Sequence, residues 1–176
     1  NIAKTIFSNE NITAVSSSVH VWTSNDPFPN NLTSGDQLNA FRAYYNSNGY
    51  SGHFACLLVP EPWGIGNQWG FCIPANSYNV SGWMVNPNPF PTYSQSAATI
   101  AHELGHNFGT PHTHSCTWPG GAIDNCAAVE DGTCNPGPPP ANGGTIMSYC
   151  QLKGPYSLAN GFGPLPGNLI RNNYQN

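Results

Sequence analysis

One stretch of eleven residues, HELGHNFGTPH at positions 102–112, constrains the fold more than any other part of the chain. His102 and His106 are four positions apart, so on an α-helix they lie on one face, one turn from each other. Gly109 can take a positive φ, end the helix and turn the chain sharply, so that His112 returns towards the first two imidazoles. Three histidines that converge in this way predict a zinc site.

The acidic residue of this stretch, Glu103, directly follows the first histidine. Three protein ligands leave one coordination position for water, which is the arrangement of catalytic zinc sites and not of structural ones. Zinc lowers the pKa of such a water, and Glu103 is predicted to act as the general base that takes its proton and passes it to the leaving amine. A bare HExxH occurs often by chance, but five fixed positions make a chance match rare.

Hydrophobic spacing predicts the surrounding elements. The alternation of valines predicts a strand over residues 14–22, and a continuous apolar run predicts a buried strand over 53–59. Helical spacing predicts a capped amphipathic helix over 35–46, the histidine-bearing helix over 93–108 and a last short helix over 165–174.

The part of the chain after Gly109 is poor in regular patterns. The run PGPPP at 136–140 excludes long helices and central strands there, and a stiff surface loop is favoured over a ligand for a proline-recognising partner. Four of the six cysteines lie in this part. Their spacing fits no zinc motif, so disulfides in an oxidising compartment are expected, with Cys126–Cys134 as the favoured local pair among 15 pairings.

Composition limits the partners and the location. Only 7% of the residues are charged and only four are cations, which excludes a basic nucleic-acid surface, and no apolar run is long enough to cross a membrane. Asn11, Asn31 and Asn79 begin glycosylation triplets, although such triplets arise by chance in an asparagine-rich chain. The N-terminus is unlike a signal peptide and lacks an initiator Met, so we interpret the chain as a mature or excised secreted domain, with any inhibitory propeptide outside it.

The stretch at 102–112 resembles the metzincin signature HExxHxxGxxH. A second segment, TIMSYC at 145–150, resembles the Met-turn of that family, in which Met147 would lie beneath the zinc. Among metzincins the chain is similar to the secreted adamalysin/reprolysin-like proteases, also in the VHVW segment at 19–22 and in the strand predicted before residue 60.

The resemblance implies an α+β fold in which one catalytic domain spans residues 1–176. An α/β-like upper subdomain, about 1–109, would hold a mixed, mostly parallel twisted sheet and the long active-site helix, and an irregular disulfide-linked lower subdomain would cover about 110–176. Protein or peptide substrates would bind extended along an antiparallel edge strand within residues 64–71. The resemblance also implies a monomer, and it allows Ca²⁺, although Asp124, Glu130 and Asp131 form no recognisable calcium loop.

Two positions depart from the adamalysin pattern. Thr113 stands where an aspartate usually follows the third histidine, which leaves the anchoring of that turn open. Tyr149 resembles the tyrosine of astacins and serralysins, which approaches zinc and stabilises the transition state; a hydrogen bond to the oxyanion and a merely packed tyrosine are weighed evenly. His114 is interpreted as a surface residue or a neighbour of the ligands, and His20 and His53 as ordinary strand residues.

These features predict a secreted zinc metalloendopeptidase that hydrolyses peptide bonds of extracellular proteins or peptides through a zinc-activated water and Glu103. Two alternatives remain. A protease-like binding module would have lost catalysis, but it would be expected to lack Glu103 too. A zinc amidohydrolase would act on a non-peptide substrate.

Overall fold

The computed structural model describes residues 1–28, 33–84 and 88–176. Within these ranges the helices are α1 (Ile2–Ser8), α2 (Ser34–Asn48), α3 (Gln95–Asn107) and α4 (Pro164–Gln175). The strands are β1 (Ala55–Val59), β2 (Gly64–Gly66) and β3 (Tyr78–Gly82), and short 3-10 turns lie at Pro74–Asn76, Cys150–Leu152 and Leu158–Asn160. The predicted α+β class is confirmed, and the predicted helices at 35–46, 93–108 and 165–174 are all present. Helix α1 had no prediction.

The three strands form a mixed sheet in the order β1-β3-β2. Strand β3 lies in the centre, parallel to β1 and antiparallel to β2, with Tyr78 opposite Ala55 and Ser81 opposite Gly64. All five residues of β3 are buried. Within the described chain, β2 is therefore an antiparallel edge strand, in the segment where the sequence predicted one.

Helix α2 covers one face of the sheet. Its N-cap is Thr33, whose hydroxyl accepts a hydrogen bond from the Asp36 amide at 3.2 Å and donates one to the Asp36 carboxylate at 2.7 Å, so that the helix begins one residue earlier than predicted. Its apolar stripe packs mainly on β3 and β2, which removes apolar surface from water. The buried residues of this layer are Phe28, Leu38, Phe41, Leu57, Val59, Tyr78 and Val80.

Two strand predictions were wrong in part. Residues 14–22 contain no strand, and Val15, Val19 and Val21 are exposed, because the segment does not join the sheet. A buried strand was predicted over 53–59, but β1 begins at Ala55 and only one of its faces is covered. It lies at a sheet edge, where Cys56 and Leu58 remain exposed.

A second apolar layer joins the two halves of the chain. Helices α1, α3 and α4 pack together with the segment before Ser148 and the turn at Leu158–Asn160. Its buried residues are Ile6, Phe7, Ile12, Ala98, Ala101, Phe108, Ile146, Met147, Leu158, Phe162 and Ile170. This layer supports the back of α3, which fixes the position of that helix relative to the irregular C-terminal part.

Two disulfides crosslink the irregular part, Cys116–Cys134 and Cys126–Cys150. The favoured pair Cys126–Cys134 was wrong. Backbone hydrogen bonds between Glu130 and the segment 114–116 carry Cys134 next to Cys116, which leaves Cys126 to pair with Cys150. Cys56 and Cys72 are free and exposed.

The structure also bears on two features of the sequence, its lack of a long apolar run and its glycosylation triplets. In the described residues, no helix combines the length and the apolar character that a bilayer crossing would require. Among the glycosylation triplets, Asn79 is fully buried in β3 and inaccessible to modification, Asn11 is exposed, and Asn31 lies outside the described residues.

Candidate metal centre and catalytic site

Helix α3 presents His102 and His106 on one face and is held from behind by close packing. A side chain at Gly105 would meet the Met147 sulfur at 2.6 Å and the Phe162 ring at 2.9 Å, so only glycine fits there. At the C-terminal end, the buried Asn107 amide nitrogen donates to the backbone oxygen of Tyr78 at 3.0 Å. The end of the helix is thereby tied to the central strand.

The turn after α3 brings the third histidine back. Gly109 has φ +90°, in the left-handed region that favours glycine, and a side chain there would come within 2.6 Å of the Trp69 ring. The Gly109 amide donates to the backbone oxygen of His106 at 2.7 Å. Beyond this turn, the chain places His112 against the first two imidazoles.

The three imidazoles converge through their Nε2 atoms. The Nε2 of His112 lies 3.2 Å from that of His106 and 3.2 Å from that of His102. Four ligands at about 2.0–2.1 Å around a tetrahedral zinc would stand roughly 3.3–3.4 Å apart. The spacing of the nitrogens therefore suits one small tetrahedral cation.

The hydrogen-bond partners of the Nδ1 atoms determine the tautomers of the three histidines. The Nδ1 of His102 lies 2.7 Å from the Ile146 carbonyl oxygen, and the Nδ1 of His106 lies 2.8 Å from the Thr110 carbonyl oxygen. A carbonyl can only accept, so both Nδ1 atoms carry hydrogen and both Nε2 atoms carry a bare lone pair. The Nδ1 of His112 lies 2.5 Å from a Glu130 carboxylate oxygen, with the same consequence.

Burial keeps the His102 and His106 rings neutral. It lowers the pKa of His106 to about 4, with the neighbouring His112 as a second cause, and it lowers the pKa of His102 well below the ordinary value. Neutral imidazole is the form that binds metal. The three Nε2 lone pairs face each other at this distance and repel unless a cation lies between them, so the residues present fit zinc.

The Glu103 carboxyl lies beside the histidine cluster and is nearly excluded from solvent. Its Oε2 atom is buried without a hydrogen-bond partner, and burial raises the pKa of the carboxyl to about 8. Gly64 and Gly66 of β2 run past it, and a side chain at Gly64 would meet the Glu103 Oε1 at 2.5 Å. A nearby dication would favour the charged carboxylate and so oppose the effect of burial.

Two further residues from the irregular part complete the site. The Tyr149 hydroxyl lies 3.1 Å from the His112 Nε2, to which it can donate a hydrogen bond, and burial raises the pKa of this phenol. Met147 is fully buried below the histidine-bearing helix, and its neighbour Ile146 supplies the carbonyl that holds His102. The structure thus brings Tyr149 to the cluster of three histidines, while Met147 packs against Gly105 of the helix that carries two of them.

The remaining histidines divide between the site and the surface. His114 is 2% exposed and stacks on His112 with ring centroids 4.9 Å apart, so it is a buried neighbour of the cluster and not a surface residue. His20 and His53 are exposed and lie outside any strand, contrary to the prediction. Among the described residues, every group that could hold a metal contains histidine or cysteine, and calcium has no support.

Thr113 takes part in anchoring the turn at which the adamalysin pattern usually has an aspartate. The Thr113 amide donates to the Met147 carbonyl oxygen at 3.1 Å, and the Thr113 carbonyl accepts from the Ile123 amide at 2.7 Å. Backbone hydrogen bonds therefore hold this turn in place without a carboxylate at position 113.

The cluster opens into a cleft with a volume of about 340 Å³. One wall is the edge strand β2, the floor is α3 with its histidines, and the opposite wall carries Tyr149 and Glu130. An HExxH helix beneath an open antiparallel edge strand, with imidazoles that fit zinc, defines the class of zinc metallopeptidases.

Comparison with known families agrees with this class. The reprolysin-type model of metallo-peptidase family M12 matches residues 1–157, and the chain belongs to this family of metzincin-type proteases. Membership makes the protein a metalloendopeptidase that depends on zinc and acts on peptide substrates. A search of curated proteins found no match to the chain.

Sequence reasoning missed two features of the site. Glu130 contacts His112 from a loop 18 positions away, and the only signal in the sequence was the scarcity of acids, eight in all, with two of them adjacent at Glu130 and Asp131. The contact of the β2 glycines with Glu103 is the second feature, and it depends on the position of β2 beside α3, which no local pattern gives.

Proposed function

We propose that the chain is a secreted zinc endopeptidase in which His102, His106 and His112 hold the metal and Glu103 is the general base. The observation that carries the proposal is the convergence of three bare Nε2 lone pairs beside a buried carboxyl. Zinc at this position would polarise a substrate carbonyl and lower the pKa of a bound water. Hydrolysis of a peptide bond follows from that chemistry and the roles below.

In the proposed reaction, the ionised Glu103 takes a proton from the attacking water and transfers it to the departing amine. The three imidazoles act only as ligands through Nε2, and the Nδ1 hydrogen of each already has an acceptor. The Tyr149 hydroxyl, which lies 3.1 Å from the His112 Nε2, would donate a hydrogen bond to the developing oxyanion, where one well-placed donor is worth about 10²–10³ in kcat. Met147 and Gly109 act only by shaping the site.

The substrate is proposed to bind extended along β2. This strand has β3 on one side only within the described chain, and its residues Gly64 and Gly66 line the cleft next to Glu103. An extended peptide could therefore add a strand here, with main-chain hydrogen bonds giving affinity. The single catalytic domain would consist of an upper subdomain, about 1–109, above this cleft and a lower one, about 110–176, below it.

Secretion and a monomeric state are the remaining parts of the proposal. Two disulfides among the described cysteines favour an oxidising compartment. Sedimentation of the purified protein at micromolar concentration should give the mass of one chain, and a dimer would contradict the monomer.

The decisive experiment is cleavage of a denatured protein by the wild type and by the variants Glu103→Gln and His112→Ala. We expect cleavage that a chelator abolishes and zinc restores. Glu103→Gln should lose about 10²–10⁴-fold in kcat while it still binds one zinc, since it removes the base and not a ligand. His112→Ala should lose both zinc and activity.

The alternatives predict different results. A binding module would retain zinc at one equivalent and cleave no member of a broad peptide library. An amidohydrolase would leave peptides intact but hydrolyse small non-peptide amides in a reaction that depends on Glu103. Either pattern would overturn the endopeptidase proposal.

A further inference from the structure

The Glu130 carboxylate bridges two histidine rings at the edge of the metal site. One oxygen lies 2.5 Å from the Nδ1 of His112, and the other lies 3.4 Å from the Nε2 of His114. The two rings stack almost in parallel, at an interplanar angle of 8°. A single carboxylate thus faces the N–H edge of the third histidine of the cluster and of the ring behind it.

The loop that carries Glu130 is fixed to the histidine segment by its own backbone. The Cys116 amide donates to the Glu130 carbonyl at 2.9 Å, and the Glu130 amide donates to the His114 carbonyl at 3.3 Å, which forms a short parallel bridge. The disulfide Cys116–Cys134 closes the same loop. Glu130 therefore has little freedom to leave the ring it contacts.

His112 needs such a partner more than the other two histidines do. His102 and His106 belong to α3, and backbone carbonyls hold their Nδ1 hydrogens, whereas His112 lies in the irregular segment after the Gly109 turn. A neutral imidazole without an acceptor for its Nδ1 hydrogen divides between two tautomers, and only one of them points a lone pair from Nε2 to the cluster.

We propose that Glu130 is the positioning residue of the metal site, and that it selects the tautomer and the orientation of His112 in which Nε2 faces the zinc. The inference rests on the proposed function, since it takes His112 to be a ligand. Glu130 accepts the Nδ1 hydrogen of His112, and its second carboxylate oxygen lies 3.4 Å from the Nε2 of His114. Carboxylate partners of this type typically change metal affinity by about 10–100-fold.

The test compares Glu130→Ala and Glu130→Gln with the neighbouring Asp131→Asn, which removes a charge from the same loop. The zinc dissociation constant is measured by competition with a chelator, and the ring tautomer of His112 in the zinc-free protein by ¹⁵N NMR. We expect Glu130→Ala to lose about 10–100-fold in zinc affinity and to show mixed tautomers. Glu130→Gln keeps an acceptor oxygen and should stay within a few-fold of the wild type with the Nδ1–H form.

Several outcomes would overturn this inference. The first is a zinc affinity and a His112 tautomer in Glu130→Ala that equal those of the wild type. The second is a loss of zinc affinity in Glu130→Gln or in Asp131→Asn that is as large as in Glu130→Ala. The third is a second bound zinc in the wild type that disappears when Glu130 is replaced. The variant His112→Ala separates the two proposals. If it binds zinc as tightly as the wild type, the proposed function fails; if it loses zinc while Glu130→Ala does not, only the positioning role fails.

Discussion

Gly64 of the edge strand lies so close to Glu103 that a methyl group on its Cα would come within 2.5 Å of the carboxyl Oε1. The same methyl would meet the Thr99 Cγ2 at 2.6 Å. Strand β2 and helix α3 therefore lie so close together at this point that there is no room for a side chain on residue 64. The wall on which a peptide would bind and the group proposed to move protons are in direct contact.

This contact predicts the effect of Gly64→Ala. Either β2 or Glu103 must shift by a few tenths of an ångström or more, and a misplacement of about 1 Å at a reacting group can cost about 100-fold in rate. We expect kcat/KM to fall by about 10–100-fold while one zinc remains bound, because the three histidines do not touch Gly64. Steady-state kinetics together with zinc analysis measure both quantities.

The matched control is Gly35→Ala in the first turn of α2, where an added methyl group would meet nothing within 4 Å. This variant should keep wild-type kinetics and change the free energy of unfolding by no more than about 1 kcal/mol. Full activity in Gly64→Ala would show that the close approach has no role in catalysis.

The stability of the zinc-free protein should depend on pH with a maximum near the pKa of free histidine. Burial raises the pKa of Glu103 from 4.5 to about 8, so between these values the folded state holds an extra proton and becomes less stable as the pH rises. Burial lowers the pKa of His106 from 6.5 to about 4, and that of His102 in the same direction, so the unfolded state holds the extra protons at acid pH. Below pH 6.5 the effect of the two histidines on the free energy of unfolding exceeds that of the one carboxyl, so stability increases with pH there.

From pH 6.5 to 8 only the carboxyl contributes, and it predicts a loss of about 2 kcal/mol in the free energy of unfolding. Urea denaturation of the chelator-treated protein measures this loss. Glu103→Gln should abolish the alkaline decrease and steepen the acid one, and saturating zinc should also flatten the alkaline side, because a dication favours the carboxylate. If the alkaline decrease persists in Glu103→Gln, another group is responsible.

The parts of the site that the sequence predicted are local, and those it missed depend on distant pairing. His102 and His106 are related by one helical turn, so their separation alone predicts a shared face. Glu130 reaches His112 only because a disulfide and a short backbone bridge close the loop between them. No pattern within a window of a few residues contains that information.

The contrast between local patterns and distant pairing also explains the errors in the prediction of the strands. Strand β3 is buried on both faces although it contains Asn79 and Ser81, because the Asn79 amide donates to the Asn107 side chain at 2.7 Å and the Ser81 hydroxyl donates to Asn79 at 3.1 Å. Because Asn79 and Ser81 interrupt it, β3 contains no apolar run, and a search for such runs does not find this central strand. The valines at 14–22 alternate as a strand would, but alternation indicates only which side chains share a face and not whether a partner strand is present.

The disulfide pairing gives a third prediction. Peptide mapping without reduction should recover the crosslinks Cys116–Cys134 and Cys126–Cys150 together with two thiols that react with an alkylating reagent. Replacing both members of either bridge by serine should cost about 3 kcal/mol, since each closes a loop of about twenty residues. Recovery of a Cys126–Cys134 crosslink would contradict the structure.

Loss of the two bridges should also have different effects on the site. The bridge Cys116–Cys134 closes the loop of Glu130, so its removal should weaken zinc binding as well as stability. The free Cys56 supplies a control, because Cys56→Ser on the exposed side of β1 should leave zinc binding unchanged. Equal zinc affinity in the wild type and the Cys116/Cys134 variant would show that the backbone bridge alone holds the loop.

The last prediction concerns Met147, which is fully buried and whose sulfur lies against the backbone of Gly105 in α3. If its role is to fill space, then Met147→Leu, which nearly conserves volume, should cost less than about 1.5 kcal/mol and keep zinc affinity within a few-fold. Met147→Ala should leave a cavity behind α3 and cost about 2–5 kcal/mol. Thermal unfolding and chelator competition measure the two effects. A loss of zinc in Met147→Leu without a loss of stability would instead show that the thioether itself acts on the metal site, since leucine fills the space but lacks the polarisable sulfur.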